Sequence, residues 1–105
     1  MNVTGRALIV AVTLTAGCTA KHDGTISGSL TSADGSPTPG TVYINYRLNG
    51  EMAEITVNVP ASGRFQQTVA PKDYIVLAWA GDSRCGGEQD IKVGSGAHRT
   101  VDFVC

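Results

Sequence analysis

Ser62-Gly63-Arg64-Phe65-Gln66-Gln67-Thr68-Val69-Ala70-Pro71-Lys72-Asp73-Tyr74-Ile75-Val76-Leu77-Ala78-Trp79-Ala80 contains the most hydrophobic segment of the chain and the turns that feed it. The Gly63 turn and the Pro71-Lys72-Asp73 corner bracket a strand from about Arg64 to Val69, and a second strand runs from Tyr74 to Ala80. In that second strand Tyr74 and Val76 share one face, while Ile75, Leu77 and Trp79 share the other. A strand apolar on both sides belongs in the middle of a packed sheet, with Trp79 as a core residue.

The chain of 105 residues has room for one domain with a modest core. Its 13 Gly and 4 Pro, its many Thr and Val, and the lack of sustained helical periodicity point to an all-β chain. The net charge of -1, with basic residues scattered singly, argues against nucleic acid as a partner, because a phosphate backbone is held by clustered Lys and Arg.

Working back toward the N-terminus, Arg6 is followed by the apolar run Ala7–Ala16. The run is far short of the roughly 20 residues of a membrane-spanning helix, and it suits the apolar core of an export signal. Its end, Leu14-Thr15-Ala16-Gly17-Cys18, resembles the lipobox of bacterial lipoproteins. That resemblance implies a signal over residues 1–17, lipidation of Cys18, a tether over 18–24, and a membrane as partner through the anchor. The alternative is an ordinary signal cut after Ala20, which discards Cys18 and releases a soluble secreted or periplasmic domain.

The domain proper is read over residues 25–105. Thr25 to Thr31 forms a first strand with Ile26 and Leu30 on one face. Gly28 occupies the apolar phase between them, which suits an edge strand or a close backbone approach. Ser32 to Gly40 is an ordered turn region built on Asp34-Gly35, Pro37 and Pro39. Asn49-Gly50 is the preferred pair for a two-residue type I′ hairpin turn. It pairs Leu48 with Glu51, Tyr46 with Ala53, Ile44 with Ile55 and Val42 with Val57, which gathers the apolar residues on one face. Tyr43, Asn45 and Arg47 then lie opposite Thr56, Glu54 and Met52 on the other face. Gly81 to Gly87 reads as a flexible loop, Glu88 to Val93 as a short strand with Ile91 and Val93 inward, and Arg99 to Cys105 as the closing strand. The sum is an antiparallel Greek-key β-sandwich of about seven strands.

Asp34-Gly35-Ser36-Pro37-Thr38-Pro39-Gly40-Thr41-Val42, Gly63-Arg64-Phe65 and Pro71-Lys72-Asp73-Tyr74 resemble the turn and strand motifs of carboxypeptidase regulatory-like domains. Lys72-Asp73 stands where that family usually has Gly. The resemblance implies a transthyretin-like, or prealbumin-like, sandwich that serves as a non-catalytic accessory or binding module. One transthyretin-like branch hydrolyses 5-hydroxyisourate, using a C-terminal Tyr-Arg-Gly-Ser and paired His residues. This chain ends His98-Arg99-Thr100-Val101-Asp102-Phe103-Val104-Cys105, and its other histidine is His22, in the tether.

Export to an oxidising compartment predicts a disulfide between Cys85 and Cys105, closing a loop of about 20 residues for roughly 3 kcal/mol. No cofactor is expected, since no ligand pair near His98 has metal-site spacing, and nucleophile elbow, phosphate-loop and zinc-protease motifs are missing. Two surfaces are candidate binding sites. One is the outward hairpin face of Tyr43, Asn45, Arg47 and Glu54, which a sugar could use; the plain alternative is a solvated face with Arg47 and Glu54 as an exposed ion pair. The other is the loop displaying Arg84. The functional expectation is a cell-envelope lipoprotein that contacts a protein or glycan. The alternatives are a secreted carbohydrate- or enzyme-binding module and a phage-encoded or defensive surface lipoprotein.

Overall fold

The computed structural model describes residues 22–105, so the signal over 1–17 and the lipidation of Cys18 lie outside the described residues. The regular elements within them are all strands: β1 (Gly24–Thr31), β2 (Gly40–Leu48), β3 (Glu51–Val59), β4 (Arg64–Val69), β5 (Asp73–Ala80), β6 (Ser83–Arg84), β7 (Gln89–Lys92) and β8 (His98–Val104). They form two sheets, one of three strands in the order β4-β1-β8 and one of five in which β3-β2-β5-β6 is joined by β7 pairing with β5. Among the described residues no helix is long and apolar enough to cross a membrane.

The β2–β3 hairpin has the register that its turn dictates. Asn49 and Gly50 take φ of 53° and 84°, the positive values a type I′ turn requires. The pairs Leu48↔Glu51, Tyr46↔Ala53, Ile44↔Ile55 and Val42↔Val57 follow without a bulge. On β5, Tyr74, Val76 and Ala78 are buried and face the core shared with Ile26, Leu30, Phe65, Val101 and Phe103 of the other sheet. Tyr74 also secures the β4–β5 corner: its hydroxyl donates to the Ala70 carbonyl, a device that pins strand entry in other sandwiches. Its ring meets Tyr46 edge-on with centroids 5.7 Å apart. Burial pushes its pKa up, and Tyr46 and Asp23 act in the same direction.

Three expectations are corrected. First, the sandwich is not wholly antiparallel. β1 and β8 run parallel, with Thr25 opposite His98 and Thr31 opposite Val104, because the chain crosses the open side of the sandwich between β7 and β8 and enters the second sheet alongside β1. Second, β1 is no edge strand; it is the centre of its sheet. Gly28 is there for close approach. It lies between Phe65 and Val101 in register, and a Cβ at that position would stand 1.7 Å from the Val101 carbonyl oxygen. Third, the loop after β5 contains the two-residue strand β6, paired with Trp79 and Ala80, which brings the strand count to eight.

The disulfide between Cys85 and Cys105 is present. Cys85 N–H donates to the Ala78 carbonyl on β5 at 2.9 Å, and Cys105 N–H donates to the Thr31 carbonyl on β1 at 2.7 Å. The bond therefore joins the two sheets through backbone already tied to each. The Cys105→Ala variant, with Cys85→Ala to avoid a stray thiol, is expected to lose about 3 kcal/mol by urea unfolding; an unchanged midpoint would contradict a stapling role.

The turn between β1 and β2 is organised by the Asp34 carboxylate, which accepts from Ser32 Oγ and from Ser36 N–H at 2.9 Å. These bonds hold its pKa at about 2, chiefly through the Ser32 hydroxyl and then Ser36. Because the folded value is lowered from 3.8, the contribution to stability is present above the ordinary value and is lost as pH falls through about 2. Carboxyl NMR titration is expected to place the Asp34 midpoint well below the ordinary aspartate value of 3.8, and a midpoint at the ordinary value would show that the turn does not hold the carboxylate.

Candidate binding face

Alternation along β5 that buries Tyr74, Val76 and Ala78 sends Ile75, Leu77 and Trp79 to the outer face of the five-stranded sheet, where all three are half-buried. Trp79 is thus a surface residue of the sheet, not the core residue that its strand implies. No second layer covers this face among the described residues, so the apolar row has only its neighbours on adjacent strands for shelter.

Register sets those neighbours. Thr41 lies opposite Trp79, Tyr43 opposite Leu77 and Asn45 opposite Ile75 across β2–β5. On the far side of β2, Tyr43 faces Thr56 and Asn45 faces Glu54. On the other flank of β5, Trp79 faces Arg84 and Ile75 faces Asp90. Opposed residues share a face, so Tyr43, Asn45, Glu54 and Arg84 all stand on the surface that carries Trp79. The link between the hairpin face and the Arg84 loop, two separate candidates in the sequence, is made by β5 and β6.

Thr41, Tyr43, Glu54, Leu77, Trp79 and Gly81 enclose a shallow depression of about 380 Å³. Two aromatic side chains and Leu77 supply its apolar surface; the Glu54 carboxylate and the Thr41 hydroxyl supply polar groups. Further along the face a larger cavity of about 740 Å³ involves Asn45, Arg47, Ile75 and Asp90 of the outer surface and Tyr46, Tyr74 and Ile91 at the open end of the core. Trp79 to Asp73 along β5 spans roughly 20 Å, and the larger hollow lies toward the Asp73 end, where it reaches from the outer face into the open end of the core.

Arg47 and Glu54 do not form the ion pair that a solvated face allows. Arg47 Nη1 donates to the Gly50 carbonyl at 3.2 Å, bending back onto its own turn. The ion pair found among the described residues is Arg84 Nη2 to Glu88 Oε2 at 3.7 Å; both side chains are largely exposed, so it contributes little to stability. It lies beside Trp79 and limits where Arg84 can reach. Glu54 keeps its carboxylate on the depression and pairs with no cation among the described residues. Among the described residues no three His, Cys, Asp or Glu side chains stand close enough to share a metal ion. Sequence reasoning missed Trp79 and Leu77 as site residues because a two-sided apolar strand signals burial on both faces, whereas one is covered.

This arrangement defines a small β-sandwich domain with an aromatic depression on the outside of its larger sheet. No protein-family model matches the chain, and no curated protein matches it. Among the solved structures that share its fold are two of bacterial proteins. One is a DUF3823 family protein from Parabacteroides merdae, with TM-score 0.58 and 14% identity over 81% of this chain and 46% of that one. The other is the dioxygenase domain of a dioxygenase carbohydrate-binding protein fusion from Streptomyces sp. SirexAA-E, with TM-score 0.59 and 16% identity over 87% of this chain and 84% of that one. The chain thus spans less than half of the first. At these identities the likeness establishes the β-sandwich fold.

Trp79 is the one tryptophan of the chain. Its fluorescence is expected to be quenched by acrylamide in the folded protein at an intermediate rate, between those of a buried and a free indole; complete protection would place the ring in the core.

Proposed function

We propose that this chain is an exported, lipid-anchored, non-catalytic binding module that holds carbohydrate on the outer face of its larger sheet. The observation that carries the reading is the Tyr43, Leu77 and Trp79 surface, half-buried yet uncovered, with Glu54 and Thr41 beside it. An apolar patch rimmed by polar groups marks an interaction site. The C–H face of a sugar ring packs on aromatic and aliphatic side chains, and its hydroxyls require acceptors and donors at the rim. Glu54 supplies an acceptor and Thr41 a donor within the depression, and Arg84 stands opposite Trp79 on its flank. A depression of about 380 Å³ that is open to solvent suits one or two units of a longer chain.

The anchor and export rest on Leu14-Thr15-Ala16-Gly17-Cys18, with the Cys85–Cys105 disulfide in agreement with an oxidising compartment. The carboxypeptidase regulatory-like, Greek-key identity rests on the Asp34 to Val42, Gly63-Arg64-Phe65 and Pro71 to Tyr74 motifs, which form ordered turns and a corner in the structure. The carbohydrate reading owes nothing to the Streptomyces neighbour, whose similar stretch is its dioxygenase domain. The non-catalytic reading rests on the motifs missing from the sequence.

The test is a glycan array probed with wild type, Tyr43→Ala, Trp79→Ala and, as a control on the opposite sheet, Thr100→Ala. Both aromatic variants are expected to lose tenfold or more in affinity, about 1.4 kcal/mol, and the control to bind as wild type. Retained glycan binding by both aromatic variants, or no glycan bound by wild type, would overturn the reading.

A further inference from the structure

β3 is an edge strand of the larger sheet, and its free edge carries few of the devices that keep edges apart. Its nine residues, Glu51–Val59, pair with β2 in unbroken register. Its charges are Glu51 and Glu54; none of the nine is Lys, Arg or Pro, residues natural edges often use against a further strand, and no bulge interrupts the pairing with β2. The two-residue turn makes Leu48 and Glu51 a hydrogen-bonded pair, and bonding alternates from there. Odd-numbered residues of β3 therefore bond to β2, while Met52, Glu54, Thr56 and Asn58 direct N–H and C=O to the free edge. Those four side chains are exposed, and Ala53, Ile55 and Val57 on the core side remain half-buried.

We propose that this edge is a self-association strand, on which a second copy of the chain adds its own β3 antiparallel with Thr56 opposite Thr56. Three two-fold registers near the strand centre keep the core faces of both copies on the same side. Centring on Glu54 sets two carboxylates directly opposite each other, and centring on Ile55 leaves them as diagonal neighbours. Centring on Thr56 separates them and pairs Thr56 with Thr56, Glu54 with Asn58, Ile55 with Val57 and Ala53 with Val59, ending before Pro60. The match is of the strand with itself, which is why a second copy is the occupant, and pairing also shelters the exposed flanks of Ile55 and Val57. The two larger sheets then become one continuous sheet with both outer faces on the same side. A single strand pair falls in the small, exchanging class of interface, below about 1,200 Å² in total.

Sedimentation velocity of the wild-type chain, followed across roughly micromolar to millimolar concentration, is expected to show the sedimenting mass doubling. Thr56→Cys should give a covalent dimer on mild oxidation, since a hydrogen-bonded antiparallel pair sets Cα atoms about 5.5 Å apart, within the span of a disulfide. Glu54→Cys, facing Asn58 of the second copy, should cross-link several-fold less. Thr56→Pro removes an N–H that the β2 ladder does not use and should sediment as a monomer; the cysteine pair keeps the test decisive if the proline variant does not fold. A wild-type chain that stays monomeric throughout, or equal cross-linking of the two cysteine variants, would overturn the proposal.

Discussion

The covalent bond between Cys85 and Cys105 is the constraint on which the two-layer arrangement depends. A domain of this size buries a modest core and sits close to the limit of independent stability. Its last strand is an edge: β8 pairs with β1 on one side and has no strand on the other. Tying Cys105 to a residue anchored on β5 fixes the end of β8 against the opposite sheet. The backbone bonds from Cys85 to Ala78 and from Cys105 to Thr31 spread that restraint into the central strand of each sheet.

With the layers fixed in this way, β5 has one face in the core and one outside. Tyr74, Val76 and Ala78 do the packing, which leaves Ile75, Leu77 and Trp79 without a structural duty that would require them to be apolar. Exposed Thr or Lys at those places would satisfy a solvated sheet face, so keeping large apolar side chains there costs solubility that a binding surface recovers. Tyr43 on β2 continues the same surface, and the hairpin that holds Tyr43 takes its register from Asn49-Gly50. The position of the candidate site is therefore fixed by one turn and one strand pairing, both local in the sheet.

Local features are also the ones legible in the sequence. The hairpin register was readable because turn chemistry and alternation gave the same answer. The β4 strand was readable because Gly63 and Pro71 bound it on both ends. The parallel β1–β8 pair was not, since it joins residues 73 apart in the chain and leaves no trace in the periodicity of either strand. Gly28 carried half of that information: it signalled a close approach, and only the pairing with Val101 shows what approaches. Trp79 was misplaced for a related reason. Hydrophobicity on both faces of a strand records what the strand could bury, while the number of layers decides what it does bury: the described residues form two sheets, so only the inner face of β5 is covered. Tyr43, Asn45, Glu54 and Arg84 were each visible as polar or aromatic surface residues, but the first three meet Trp79 on one face only through the β2–β5 pairing, and Arg84 only through β6, a two-residue strand inside what reads as a loop.

The central claim is that ligand meets the outer face of β2 and β5 while the stapled core stays unchanged. It is tested most directly by mapping amide shifts in two-dimensional NMR as envelope-polysaccharide fragments are titrated into the isotope-labelled chain. The account predicts perturbations that cluster at Thr41, Tyr43, Glu54, Leu77, Trp79 and Arg84 and leave β1 and β8 unmoved. Perturbations centred on the smaller sheet or on the Asp34 turn, with the β2–β5 face silent, would contradict it.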